Sequence, residues 1–398
     1  MGDSIANDRR VAEKARLSTS TGQTANSRQI EICRVLCIFM MMYVHVPPGI
    51  DVEPTVITTT WLAPLGLFLG NVLSRSSVAA LSFISGYLLW TYNRSKPFPL
   101  LVKSKLRALI FPMAVWGIIY ILLTSAKAQV TGDAYKHAAL NDPLGLMNDV
   151  LGVTRATAAL PLFFIRDLFV ALLLIRLAAP VLRGHLGLAV LAAVVLVNLF
   201  GNTAPVVMRA NILMFAVAGA VWAANGLLLS DAARRVVALP IIAVAGIAAW
   251  TLSTMGLTAG AIGSAQNGFE RLCLTFAVIY LARLIGETRR GQHLSVLGKH
   301  MFLTYLSHLP VIAVLWFLWA KTVGGPLEQT YVIFFFLCPA IAMGLGVAMG
   351  SLADYTPAWV QTGLRGKVKR RAVDRRAVRH DAVDRRNSAD RSAPDGTI

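Results

Sequence analysis

Apolar stretches of about 18 to 22 residues recur along this chain, the length of α-helix that crosses a bilayer, and this narrows the fold more than any other feature. They lack the short, alternating segments of an outer-membrane barrel. Composition agrees: 56% hydrophobic and 15% charged residues, with mean hydropathy +0.61, leave more apolar surface than one soluble core of 398 residues hides. The expected fold is all-α, a polytopic integral membrane protein with about ten transmembrane helices.

The first span lies in Arg28 to Gly49, read RQIEICRVLCIFMMMYVHVPPG, and Pro47, Pro48 and Gly49 stop it. The next spans are expected near 78–91, 109–124, 160–179, 186–200, 206–227, 237–257, 270–285, 301–319 and 332–352. Trp61 to Leu73 is a shorter apolar piece expected to lie on or partly in the membrane, and Arg94 to Arg107 reads as a basic loop. The domain reading is a disordered N-terminal tail (1–27), a membrane domain (28–352) and a basic, disordered tail (353–398).

Net charge is +18, but eleven Lys or Arg residues follow Leu364 and most others sit in loops, which favours anionic lipid over nucleic acid as the partner of the tail. Alternate loops hold Arg94, Lys96, Lys103, Lys105, Arg183, Arg234, Arg235, Arg289, Arg290 and Lys299, while 201–205 and 256–268 have no Lys or Arg. The positive-inside rule therefore places both termini in the cytoplasm. Cys33, Cys37, Cys273 and Cys338 read as core thiols, and no cluster has metal-ligand spacing.

Ionisable groups at membrane depth are costly, so each is a candidate site residue. Arg34 and His45 are eleven residues apart, which returns them to one helix face, roughly 16 Å apart along the axis. Taken singly, Arg34 is an ordinary basic flank and His45 a tolerable interfacial histidine; together they present a cation at one depth and a base at another. SFISGYLL in the second span offers Ser85 and Tyr87, though small residues there also serve close helix packing. Lys103, Lys105 and Arg107 either hold phosphate as point charges or only set topology. Arg166 and Asp167 interrupt the fourth span; adjacent positions do not face each other on a helix, so each is expected to pair elsewhere or line a wet cavity. Tyr305 and His308 share a face of the ninth span, where the histidine either braces packing or takes part in chemistry.

These segments, Arg-x10-His, FxxSGY, a basic cluster before a proline, PLxFxRDL and LGxxxFxxYLxH, occur in an order that resembles the membrane-bound acyltransferase family 3, over Arg28 to Leu352. YVHVPPG with its flanks is also similar to the branch that includes the succinoglycan succinyltransferases. The basic cluster departs from the pattern, reading KSKLR where many relatives have Arg-x-x-Arg. The resemblance implies an O-acyltransferase of the bacterial inner membrane that binds no cofactor. It would take an acetyl or succinyl group from cytoplasmic acyl-CoA and place it on a sugar hydroxyl of an exopolysaccharide, lipid-linked oligosaccharide or other surface glycan. Arg34 would then bind the donor and His45 act as the catalytic base, as guanidinium and imidazole chemistry allows. A glycolipid transporter with His45 and His308 as proton relays is the alternative; it calls for inverted repeats, which the sequence does not display.

Overall fold

The computed structural model describes residues 26–49, 52–132, 142–229 and 260–367, with side chains from residue 265 in the last segment. Every regular element among them is helical. Helix α1 covers residues 26–42 and tightens into a 3-10 turn, Tyr43–His45, before the two prolines. There follow α2 (Ala63–Asn93), α3 (Phe98–Thr131), α4 (Pro143–Leu151), α5 (Phe163–Leu177), α6 (Gly184–Phe200) and α7 (Ala210–Ala224). Then come α8 (Gly260–Gly286), α9 (Arg289–Thr322), α10 (Tyr331–Leu352) and α11 (Ala358–Arg365).

Two expected boundaries change. The piece from Trp61 to Leu73 does not lie apart: α2 runs unbroken through a wide turn at Phe68–Leu73, and Pro64 falls in its first turn, where a missing N–H costs nothing. The basic stretch is also helical, because α3 starts after Pro97 and continues into the third span. Its wide turn, Leu106–Ile110, comes immediately before Pro112 and gives the ladder room where that proline would break a regular helix.

Among the described residues α2, α3, α9 and α10, the last continued to Tyr355, are long and apolar enough to cross a membrane. Helices α6 and α7 are apolar but shorter, and the expected seventh span, 237–257, lies outside the described residues. On α10 the side chains of Ile333, Leu337, Ile341 and Leu345 recur every fourth position and are all exposed. Such a stripe is unfavourable in water and is satisfied by lipid.

Helix α2 forms the centre, packed against α7, α8 and α5. A Cβ at Gly86 would meet the backbone of Ala216, and one at Gly219 the backbone of Phe83, so the glycine of the FISGY motif permits a close α2–α7 crossing. Several polar contacts fix α1 in place. Gln29 donates to the Ile279 carbonyl at 2.9 Å, Ser74 donates to the Met40 carbonyl at 2.6 Å, and the Tyr331 hydroxyl donates to the Pro47 carbonyl at 2.8 Å. Its two ends are therefore anchored to different helices, which sets where Arg34 and His45 point. All four cysteines are free and buried.

The described residues after α10 are folded. A 3-10 turn, Ala353–Tyr355, leads to α11, which packs back on α3, so this part of the expected disordered tail is folded. Trp116 of α3 donates to the Leu364 carbonyl at 3.1 Å.

Candidate functional site

A cavity of about 320 Å³ opens between α1, α2, α3, α5 and α9. One end is cationic: Arg34 of α1, Lys105 of α3, Lys299 from the turn inside α9, and Arg365 and Lys367 at the end of α11 all line it. Ile38, Leu168, Leu172 and Phe302 make the rest mostly apolar, with Ser85 as a polar exception, and Tyr305 forms part of the wall. The Ser85 hydroxyl donates to the Leu81 carbonyl of its own helix at 2.7 Å. A long ligand with an anionic head and a slender, less polar arm matches this distribution of charge.

Gly298 explains why Lys299 stands beside Arg34. A Cβ there would meet the side chain and Cα of Glu31, so only glycine lets this turn approach α1 so closely. Glu31 in turn accepts from Arg34 at 2.7 Å one helical turn away, which leaves most of the guanidinium donors facing the cavity region.

Beyond Tyr305 lies the second part of the site. The Tyr305 and His308 rings have centroids 5.6 Å apart, and those of His308 and His45 are 5.1 Å apart. Tyr305 is fixed from both sides, by donation of its hydroxyl to the Pro161 carbonyl and by an edge contact with Phe164 at 5.7 Å. His308 Nδ1 lies against the Tyr305 carbonyl; a carbonyl only accepts, so Nδ1 carries the proton. In the neutral ring Nε2 is then an acceptor, and it has no hydrogen-bond partner among the described residues although it is buried. His45, half-buried at the end of α1, is the ring next to it.

Not every expected site residue converges here. Lys103 and Arg107 are one turn apart on α3 and line an outer groove with Phe98, Phe111 and Thr362, whereas Lys105, on the opposite helix face, enters the cavity. Tyr87 belongs to another recess, with Trp90, Arg94 and Arg183. Arg166 and Asp167 do pair with each other, at 2.7 Å, contrary to the expectation from their adjacency. Their remaining partners are backbone: Arg166 donates to the Val206, Val153 and Pro205 carbonyls, and Asp167 accepts from the Met208 and Arg209 N–H groups at 3.0 and 2.8 Å. They bracket the start of α7 and do not line the cavity.

Sequence reasoning missed three cavity cations. Lys299 was read as an orientation-setting loop charge, and Arg365 and Lys367 as tail. The signal for α11 was present, a proline before and a glycine after an eight-residue segment, Pro357 and Gly366.

Residues 27–350 match the acyltransferase domain family, acyltransferase family 3. The chain is similar to the succinoglycan biosynthesis protein ExoH of Rhizobium meliloti (strain 1021), 26% identical over 345 residues that cover 82% of this chain and 88% of that protein. No solved structure matches it.

Proposed function

This chain belongs to acyltransferase family 3, and from that premise we propose that it transfers an acetyl or succinyl group from cytoplasmic acyl-CoA to a sugar hydroxyl of an exopolysaccharide or its lipid-linked precursor. The observation that carries this reading is a cavity that joins a cationic end, an apolar interior and Tyr305 in a wall backed by His308 and His45. Phosphates of the donor engage Arg34 and its neighbours, while the pantetheine arm runs along the apolar wall toward the histidines.

In the transfer step neutral His45 takes the proton of the sugar hydroxyl as its oxygen attacks the thioester carbonyl. The new C–O bond forms, the C–S bond breaks, and the proton passes from His45 to the leaving thiolate. His308 acts as a positioning residue: its ring packs 5.1 Å from that of His45, and its Nε2, unpaired among the described residues, becomes the acceptor of the His45 ring N–H when the substrates are bound, which holds the tautomer that keeps the other nitrogen available as base. In this reading ten helices cross the bacterial inner membrane, both termini are cytoplasmic, and the Arg34 end faces the cytoplasm. Succinoglycan synthesis, named for the relative, gives the acceptor class.

Purified protein given acetyl-CoA or succinyl-CoA with a lipid-linked oligosaccharide should release free thiol in step with acylation of the glycan. Absence of thiol release with both donors, from protein that is folded and supplied with acceptor, overturns the reading.

A further inference from the structure

The family match ends at residue 350, yet the cationic end of the cavity is completed by residues beyond it. We propose that the segment 353–367 is a built part of the donor site, with Lys367, together with Lys299, contacting the phosphates of the acyl donor and Arg365 holding the turn that presents them. This deepens the donor reading above and rests on it.

Arg365 is buried and each of its three side-chain nitrogens has an acceptor: Asp354 at 2.5 Å, Gln361 Oε1 at 2.5 Å and the Lys367 carbonyl at 3.3 Å. A buried guanidinium with an acceptor on each of its three nitrogens acts as a bracket, tying the end of α11 to the turn after α10. The helix stops at Gly366, whose φ of +70° suits glycine, and a Cβ there would meet the Ala108 backbone of α3. Ala108 is four residues before Pro112, so its carbonyl has lost its regular helical donor, and the gap beside it is where the α11 terminus seats. Pro112 on α3 and, much further along the chain, the Asp354–Arg365 pair with the adjoining Gly366 thus converge on one position for Lys367.

Lys367 and Lys299 are exposed lysines on the cavity rim and form no ion pair among the described residues, whereas Arg34 and Arg365 each have a carboxylate. Ammonium groups on flexible stems, at one end of an otherwise apolar cavity, fit several phosphate charges as point contacts. The exposed face of α11, with Trp359, carries no charge; its charges stand at its C-terminal end, where Arg365 and Lys367 line the cavity.

The test uses full-length protein in detergent with two donors, acyl-CoA and the matching acyl-pantetheine, which has the same thioester and no phosphate. In Lys299→Gln/Lys367→Gln, the KM for acyl-CoA should rise roughly tenfold to a hundredfold with kcat unchanged within about twofold. The KM for acyl-pantetheine should stay at the parent value, which also reports that the variant is folded. Adenosine bisphosphate, the phosphate-bearing end of the donor, should inhibit the variant more weakly by the same factor. An unchanged KM for acyl-CoA, or an equal rise for both donors, overturns the proposal while leaving the donor reading in place. Failure of the parent protein to consume acyl-CoA overturns the donor reading and this proposal with it.

Discussion

Arg34 and Arg166 are both arginines inside apolar helices, and they have opposite fates. Arg166 bonds to Asp167 and to three backbone carbonyls, so its charge is spent on the start of α7. Arg34 bonds to one oxygen of Glu31 and lines a cavity that four other cations share. Intramembrane charge is costly in either setting. The difference lies in whether the donors are saturated by the protein itself. A saturated guanidinium returns its desolvation cost as a fixed loop, whereas an unsaturated one beside a cavity keeps donors for a ligand. The same criterion separates Arg365 from Lys367 within one turn of chain.

The largest expected effect lies at the far end of the site. His45→Gln should lower kcat by about 10²- to 10⁴-fold, the usual contribution of a general base, and leave the donor Kd at the parent value. Calorimetry of acyl-CoA binding beside single-turnover kinetics checks both halves. Loss of donor binding in this variant would merge the two ends of the cavity into one function and remove the division proposed here.

Asp167→Ala comes next, and directly sharpens the arginine comparison. It strands the Arg166 charge and removes the acceptor of two backbone N–H groups in a fully buried position, a loss of about 3 to 5 kcal/mol. The measurement is the thermal midpoint in detergent, which should fall sharply, with the donor KM of the folded fraction unchanged. Arg34→Lys should behave in reverse: it keeps a charge and the midpoint but loses the planar fork, so donor KM rises roughly ten- to a hundredfold. If Arg34→Lys lowers the midpoint as Asp167→Ala does, Arg34 is another structural bracket.

Helix α1 was legible because one segment carries its whole argument: an apolar run, a stop at two prolines, and two ionisable groups on one face. Nothing local could reveal that His308 lies 5.1 Å from His45, since that contact depends on how α9 docks against α1. The reach of α3 back to Phe98 was hidden because basic residues and prolines read as loop, while a wide helical turn absorbs the proline and the lysines point away from the bundle or into its cavity. The Arg166 and Asp167 pair was flagged correctly as unusual, but the inference that neighbours cannot meet neglected the length of the arginine stem, which lets it fold back to the adjacent carboxylate.

The smallest effect expected is also the most specific. KSKLR looks like one basic cluster, yet helical spacing divides it: Lys103 and Arg107 lie one turn apart on the outer face, and Lys105 lies between them on the opposite side, toward Arg34 and Lys299. Lys105→Gln should raise the donor KM by several-fold, on the order of one weakened charge contact worth about 1 kcal/mol. Lys103→Gln/Arg107→Gln removes twice the charge from the same few residues and should leave donor KM unchanged. A general electrostatic attraction of the donor to this side of the protein predicts the reverse ranking, because it counts charges irrespective of the face they occupy. Measuring both variants at low and at high salt separates the two accounts. A larger effect from the double variant, disappearing as salt is raised, would mean that the cluster steers the donor from a distance and that the cavity-facing position of Lys105 has no special part in binding.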